Sequence, residues 1–207
     1  MGPRSSREAG LRCTLMWVRR AAIPPVPVWA RVPAALLDRV VDSVSGGEDA
    51  TEGRLRAALQ RFEDSQPVLA HELDGVLHER LDETARSLGF FLCVCIWMGF
   101  EETFGDRLSS VSEDDVSAVK ATLALDEEIR RDEPDEPVET DDVLAMEQPD
   151  ILEFVRDHVE VALDTSEGEV DVEAVDKVYR MVLCVILALS LAVAPPAFPV
   201  APAEWTA

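Results

Sequence analysis

The sequence predicts an all-α fold, a helical bundle of about seven helices, on three observations. Apolar residues recur at i, i+3, i+4 and i+7 over most of the chain. No stretch alternates as a half-buried strand would. Helix start and stop residues punctuate the pattern at regular intervals. At 207 residues and 22.8 kDa, the chain can bury a sizeable core without disulfides or a structural metal. Hydrophobic residues at 47% and a mean hydropathy of +0.02 are too apolar for a wholly disordered acidic chain.

The elements follow in order. Pro33 opens a first helix with Leu37, Val40, Val41 and Val44 on one stripe, and Gly46-Gly47 stops it. Leu55, Ala58, Leu59 and Phe62 mark a second helix. Pro67 starts a third that runs to about Arg80. Asp82 is the expected cap of a fourth, to about Phe104, and Ser112 with Asp115 of a fifth, to about Arg131. Residues 132–142 (DEPDEPVETDD) form an acidic, proline-broken loop. Two further helices run from Pro149 to about Asp164 and from Asp171 to about Ala194, where Pro195-Pro196 ends the order. The chain therefore divides into a flexible, basic, proline-containing segment at 1–31, a bundle at 32–194 and a proline-rich tail at 195–207.

Two blocks of the bundle resemble each other. Gln66-Pro67, an amphipathic helix, Asp82 and an apolar helix with Leu92-Cys93-Val94 are followed later by Gln148-Pro149, an amphipathic helix, Asp171 and an apolar helix with Leu183-Cys184-Val185. The pattern suggests two similar helical hairpins packed around two very apolar central helices. Neither central helix has the length of a membrane span. Leu88–Phe100 and Met181–Ala194 are uncharged runs of 13 and 14 residues, covering about 20 Å where a hydrocarbon core needs about 30 Å. A tail anchor remains as an alternative, because Met181–Ala203 holds no charge. Against it, Pro195, Pro196, Pro199 and Pro202 would leave backbone groups unpaired in lipid.

Charge is uneven. Lys and Arg total 19 against 41 Asp and Glu, a net charge of −22. Residues 1–31 hold six of the arginines and a single acid, Glu8. This leader has no uninterrupted apolar stretch of secretory type, since Arg12, Arg19 and Arg20 break it. It has few hydroxylated residues for a transit peptide, and Pro3 stands against N-myristoylation at Gly2. It is read as carrying no address. The acidity of the remainder argues against direct binding to nucleic acid, which requires basic surface to displace counterions.

The chemistry-bearing residues were tested as sites. His71, Asp74, His78 and Asp82 would share one face of a continuous helix and could ligate zinc or iron. Leu73, Val76, Leu77 and Leu81 take the opposite face, so the histidines point to water, and no metal site is favoured. His158 flanks an apolar stripe as a half-buried structural residue. A diiron bundle needs two Glu-x-x-His motifs; the chain has none, although Glu101 and Glu102 end a core helix. Cys93 and Cys95 project to opposite sides of their helix and, with Cys184, read as small core hydrophobes in a reducing compartment. The acidic stretch 164–173 misplaces its glycine for a calcium loop. Ser45-Gly46-Gly47 lacks a following Lys and cannot cradle phosphate.

The surface carries what remains. Asp132, Glu133, Asp135, Glu136, Glu139, Asp141 and Asp142 form a dense negative segment suited to a basic protein partner. The Pro-rich stretches 23–33 and 195–205 carry Trp29 and Trp205, either as docking peptides or as arms wrapping the bundle or pairing with a second copy. The sequence thus predicts a non-enzymatic, cytoplasmic adaptor or accessory protein without a cofactor, acting through protein–protein contact, with no direct nucleic-acid binding. One alternative is a metal-binding or metal-dependent bundle using His71, Asp74, His78 and Glu101 or Glu102. The second is a membrane-associated protein held by its C-terminal apolar segment.

Overall fold

The computed structural model describes residues 23–44, 48–132, 147–165 and 171–197. Seven α-helices lie among them: α1 (Ala34–Val44), α2 (Glu48–Ser65), α3 (Pro67–Leu77), α4 (Glu83–Phe104), α5 (Glu113–Asp132), α6 (Pro149–Thr165) and α7 (Val172–Leu191). A 3₁₀ turn, Gly105–Arg107, follows α4. Among the described residues there is no strand, only an isolated antiparallel bridge between Leu108 and Val193. The fold is an all-α bundle.

Local chemistry fixes most helix ends. Asp82 Oδ1 accepts from the Ala85 N–H at 2.6 Å, and Asp171 Oδ1 accepts from the N–H groups of Glu173 and Ala174 at 3.0 and 3.3 Å. Each satisfies donors that a helix start leaves unpaired. Before α5 the Asp115 N–H donates to Ser112 Oγ, while the Ser112 N–H donates back to Asp115 Oδ2. That is a reciprocal cap built with Asp in place of the commoner Glu. Gly105 ends α4 at φ +50°, a conformation that favours glycine.

α4 and α7 form the centre and pack along each other. Leu92 to Phe100 on α4 and Met181 to Ser190 on α7 are continuously buried, so both helices are enclosed all round over these lengths. α1, α2, α3 and α6 cover α4, whereas α3 and α5 cover α7. Gly89 permits the close approach of the central pair, because a Cβ there would lie 2.8 Å from Val178 Cγ1. Each large side chain buried here contributes about 1.5–3 kcal/mol.

Three boundaries differ from expectation. The third helix stops at Leu77, not near Arg80, because His78 to Arg80 turn the chain toward the Asp82 cap. The last helix ends at Leu191, not Ala194, because the chain then pairs laterally. Ser109 N–H donates to Ala192 O, Ala194 N–H to Arg107 O, and the Arg107 guanidinium also reaches Ala194 O at 2.9 Å. The bundle also begins before residue 32. Ile23, Val26 and Ala30 are buried against it, so residues 23–31 are a packed arm, in place of flexible leader.

Contrary to the expectation from the uncharged run Leu88–Phe100, α4 with its turn (Glu83–Arg107) is long and apolar enough to cross a membrane, because the helix extends beyond that run at both ends, yet 67% of the apolar stretch is buried inside the bundle. Of the alternative anchor, Met181–Ala203, residues Met181 to Ser190 lie within the core, Leu191, Ala194 and Pro195 are exposed, and residues 198–203 lie outside the described residues.

Candidate interaction surface

The bundle presents two kinds of outward chemistry: the packed N-terminal arm and an acidic exterior. The arm is an extended run closed by a turn in which Ala30 N–H donates to Pro27 O. Prolines preset this backbone, and Ile23, Val26, Ala30 and Val32 supply the buried positions. Trp29 lies over the end of α7, its indole N–H donating to Val193 O at 3.0 Å. Trp29 is 37% exposed, beside the exposed Val28. Residues 23–31 and Trp29 therefore pack as an arm on the bundle. Trp205 lies outside the described residues.

Asp132 closes α5, and its side chain is not among those described. Glu133, Asp135, Glu136, Glu139, Asp141 and Asp142 also lie outside the described residues. On the described surface the acids are spread over several helices. Glu113, Asp114 and Asp115 crowd the first turn of α5, where negative charge complements the helix dipole. The Ser112 hydroxyl and amide hold the Asp115 carboxyl below its ordinary range.

Much of the basic complement is engaged internally. Arg61 pairs with Glu101 at 3.2 Å, Arg180 with Glu127 and Asp176 at 3.1 and 3.0 Å, and Lys177 with Glu79 and Glu173 at 3.3 and 3.7 Å. Lys120 meets Glu72, and Arg107 and Arg86 are spent on backbone carbonyls. Exposed pairs of this kind add little stability. Each pair also uses a carboxylate, so the excess of negative charge comes from the 41 acids against 19 bases.

The metal candidates do not converge. Asp74 and His78 meet at 3.1 Å in an exposed pair, and His78 Nδ1 also lies 2.8 Å from the Asp74 carbonyl. His78 is the cap residue beyond α3, and His71, exposed one turn before Asp74, completes no cluster with them. Among the described residues no group of three His, Cys, Asp or Glu could hold a metal ion. Glu101 is occupied by Arg61, and Glu102 is exposed.

Cys93, Cys95 and Cys184 are free and buried. Burial pushes the Cys95 thiol up to about 12 and that of Cys184 to about 11, and raises Cys93 as well. Neutral buried thiols are poor nucleophiles. His158 is half-buried, 4.3 Å from the Phe154 ring and 5.2 Å from that of Phe91, with Nδ1 2.8 Å from the Phe154 carbonyl. It is a packing residue with its polar atom turned to its own helix. A groove between α5, α7 and the arm is lined by Pro24, Asp115, Ala118, Thr122, Leu187 and Leu191. Its polar side chains are the Asp115 carboxylate and the Thr122 hydroxyl.

Sequence reasoning missed the two most buried polar side chains of these connections, Gln66 and Gln148. Their only signal was the Gln-Pro pair shared by the two similar blocks.

Compared with known proteins, the chain matches no protein-family model, no curated protein and no solved structure.

Proposed function

We propose that this protein is a non-enzymatic adaptor or accessory protein that docks a basic protein partner on its acidic exterior. The supporting observation is the net charge of −22, from 41 acids against 19 bases. A surface of one sign steers an oppositely charged partner and rejects nucleic acid of its own sign. The buried free thiols suit the reducing cytoplasm, and the reading calls for no cofactor. Residues 132–142 carry the highest local density of acid and are the proposed centre of the docking surface. Trp29 then serves to hold the arm on the bundle, and Trp205 remains a proposed contact residue.

The test is direct capture of partners by the intact chain and by a variant with Asp132, Asp135, Asp141 and Asp142 changed to Asn and Glu133, Glu136 and Glu139 to Gln. The reading predicts that a basic protein held by the wild type is lost from the variant. Equal retention by both would remove this segment from the interaction.

A further inference from the structure

Gln66 and Gln148 stand at matching places. Each immediately precedes a proline that opens a helix, and each is nearly without solvent contact. Gln66 Nε2 donates to Ser109 O at 3.1 Å, and its Oε1 accepts from the Val111 N–H at 2.8 Å. Gln148 Nε2 donates to Ala30 O at 2.6 Å, and its Oε1 accepts from the Val32 N–H at 3.3 Å. Both side chains therefore bind the carbonyl of one residue and the amide of the residue two further on, as a neighbouring strand would. In both cases the amide belongs to the residue two places before a helix begins, α5 in one case and α1 in the other. The glutamine of the first block grips the segment entering the second, and the glutamine of the second grips the segment entering the first.

The caps and the packing show the same exchange. Asp82 caps α4 with one carboxylate oxygen and with the other accepts the N–H of Asp171, the cap of α7, at 3.0 Å. α1 lies on α4 as α5 lies on α7, and α1 lies by α6 as α5 lies by α3. α3 reaches across to α7 as α6 reaches across to α4. Exchanging α1 with α5, α3 with α6 and α4 with α7 maps each of these contacts onto another; the contact of α3 with α4 is the exception, since α6 and α7 do not pack on each other. A two-fold axis through the contact of α4 with α7 has this property, as an isologous dimer interface does.

We infer that the bundle is a fused pseudo-dimer, two three-helix units (α1, α3, α4 and α5, α6, α7) related by a pseudo-two-fold axis, each clamping the other's entry segment with its glutamine. α2 stands outside the correspondence. The inference is independent of the adaptor reading, since it concerns how the halves hold each other and not what the surface binds.

The test is residue-resolved amide hydrogen exchange on the full chain and on Gln66→Leu and Gln148→Leu. Removing a buried amide side chain that holds a backbone N–H costs about one hydrogen bond, which corresponds to roughly tenfold faster local exchange. The expected pattern is crossed and reciprocal: Gln66→Leu frees the Val111 amide and spares Val32, and Gln148→Leu does the reverse. An effect in only one direction overturns the inference. A crystal structure of the wild type gives a second measurement that needs no variant to fold. Superposing α1, α3 and α4 on α5, α6 and α7 should require a rotation near 180°, and a rotation far from that value overturns the inference equally.

Discussion

α4 and α7 lie side by side at the centre, yet they fill their surroundings with different side chains. α4 must meet α1, α2, α3, α6 and α7, and it does so by alternating absence with bulk. Gly89 admits Val178 of α7, Gly99 admits Leu37 of α1, and Trp97 reaches Phe62 of α2 with ring centroids 5.4 Å apart. α7 meets fewer neighbours and is filled almost entirely by aliphatic and small residues from Met181 to Leu189. A helix contacted from many directions needs a distinct shape at each contact. One contacted from few can be uniformly aliphatic and still pack to density. Substitutions should therefore be felt more sharply on α4.

Truncation at the aromatic contact is the largest expected effect. Trp97→Ala should cost about 3–5 kcal/mol in denaturant unfolding, whereas Ile186→Val on α7 should cost about 0.5–1.5 kcal/mol. Similar losses at both positions would break the comparison. Trp97→Phe should be far milder than Trp97→Ala. It keeps most of the contact with Phe62 while removing a buried indole N–H that finds no hydrogen-bond partner among the described residues.

Overpacking comes next. Gly89→Ala places a Cβ against Val178, so it should destabilise by about 1–3 kcal/mol although alanine favours helix. Gly75→Ala on α3 meets nothing within 4 Å and should instead stabilise by about 0.5–1 kcal/mol. The two changes are chemically identical, so opposite signs in thermal melts would isolate the α4–α7 contact as the cause.

The caps separate the central helices by a smaller margin. Asp82→Ala removes the cap of α4 and also the acceptor for Asp171 N–H, while Asp171→Ala removes a cap alone. Each cap is worth about 1 kcal/mol, and the Asp82 variant should be the less stable of the two. Hydrogen bonds from Ala85 and then Asp171 and Thr84, against the opposing cost of burial, hold the Asp82 carboxyl below its ordinary value. The sign follows from linkage: a carboxyl depressed in the folded state contributes stability above its unfolded pKa, about 3.9, and loses it as pH falls through the folded value. Acid titration of stability should therefore be shallower below about pH 4 in Asp82→Ala than in the wild type.

Much of this architecture was legible in the residues. Asp82 and Ser112 with Asp115 cap the helices they were expected to cap, and Asp171, expected as the start of the last helix, proves to be its cap, because a cap is a local interaction within three residues. What was missed is non-local. Leu191 ends α7 because residues 192–194 pair with 107–109, a partner separated by more than eighty positions. The packing of Ile23 and Val26 was hidden by the arginines around the arm, which made the whole segment read as flexible leader. Gln66 and Gln148 were legible only as the matching starts of two similar blocks, because the carbonyls and amides they bind lie far along the chain. Of the site residues, His71, Asp74 and His78 are exposed; helical phase accounts for the first two, while His78 lies just beyond the end of α3. The acidic segment was legible only as composition, because charge density specifies the sign of a partner and not its shape.

The account centres on an acidic exterior that recognises a basic protein through exposed charge. The most direct measurement is the salt dependence of one captured partner's affinity for the intact chain, followed from about 50 mM to 500 mM. Exposed charges more than a Debye length apart, about 10 Å at 0.1 M, are largely screened. The account predicts steady weakening across the series, with a slope reduced in the variant neutralised at 132–142. An affinity unchanged by salt would contradict it and place recognition on apolar surface instead.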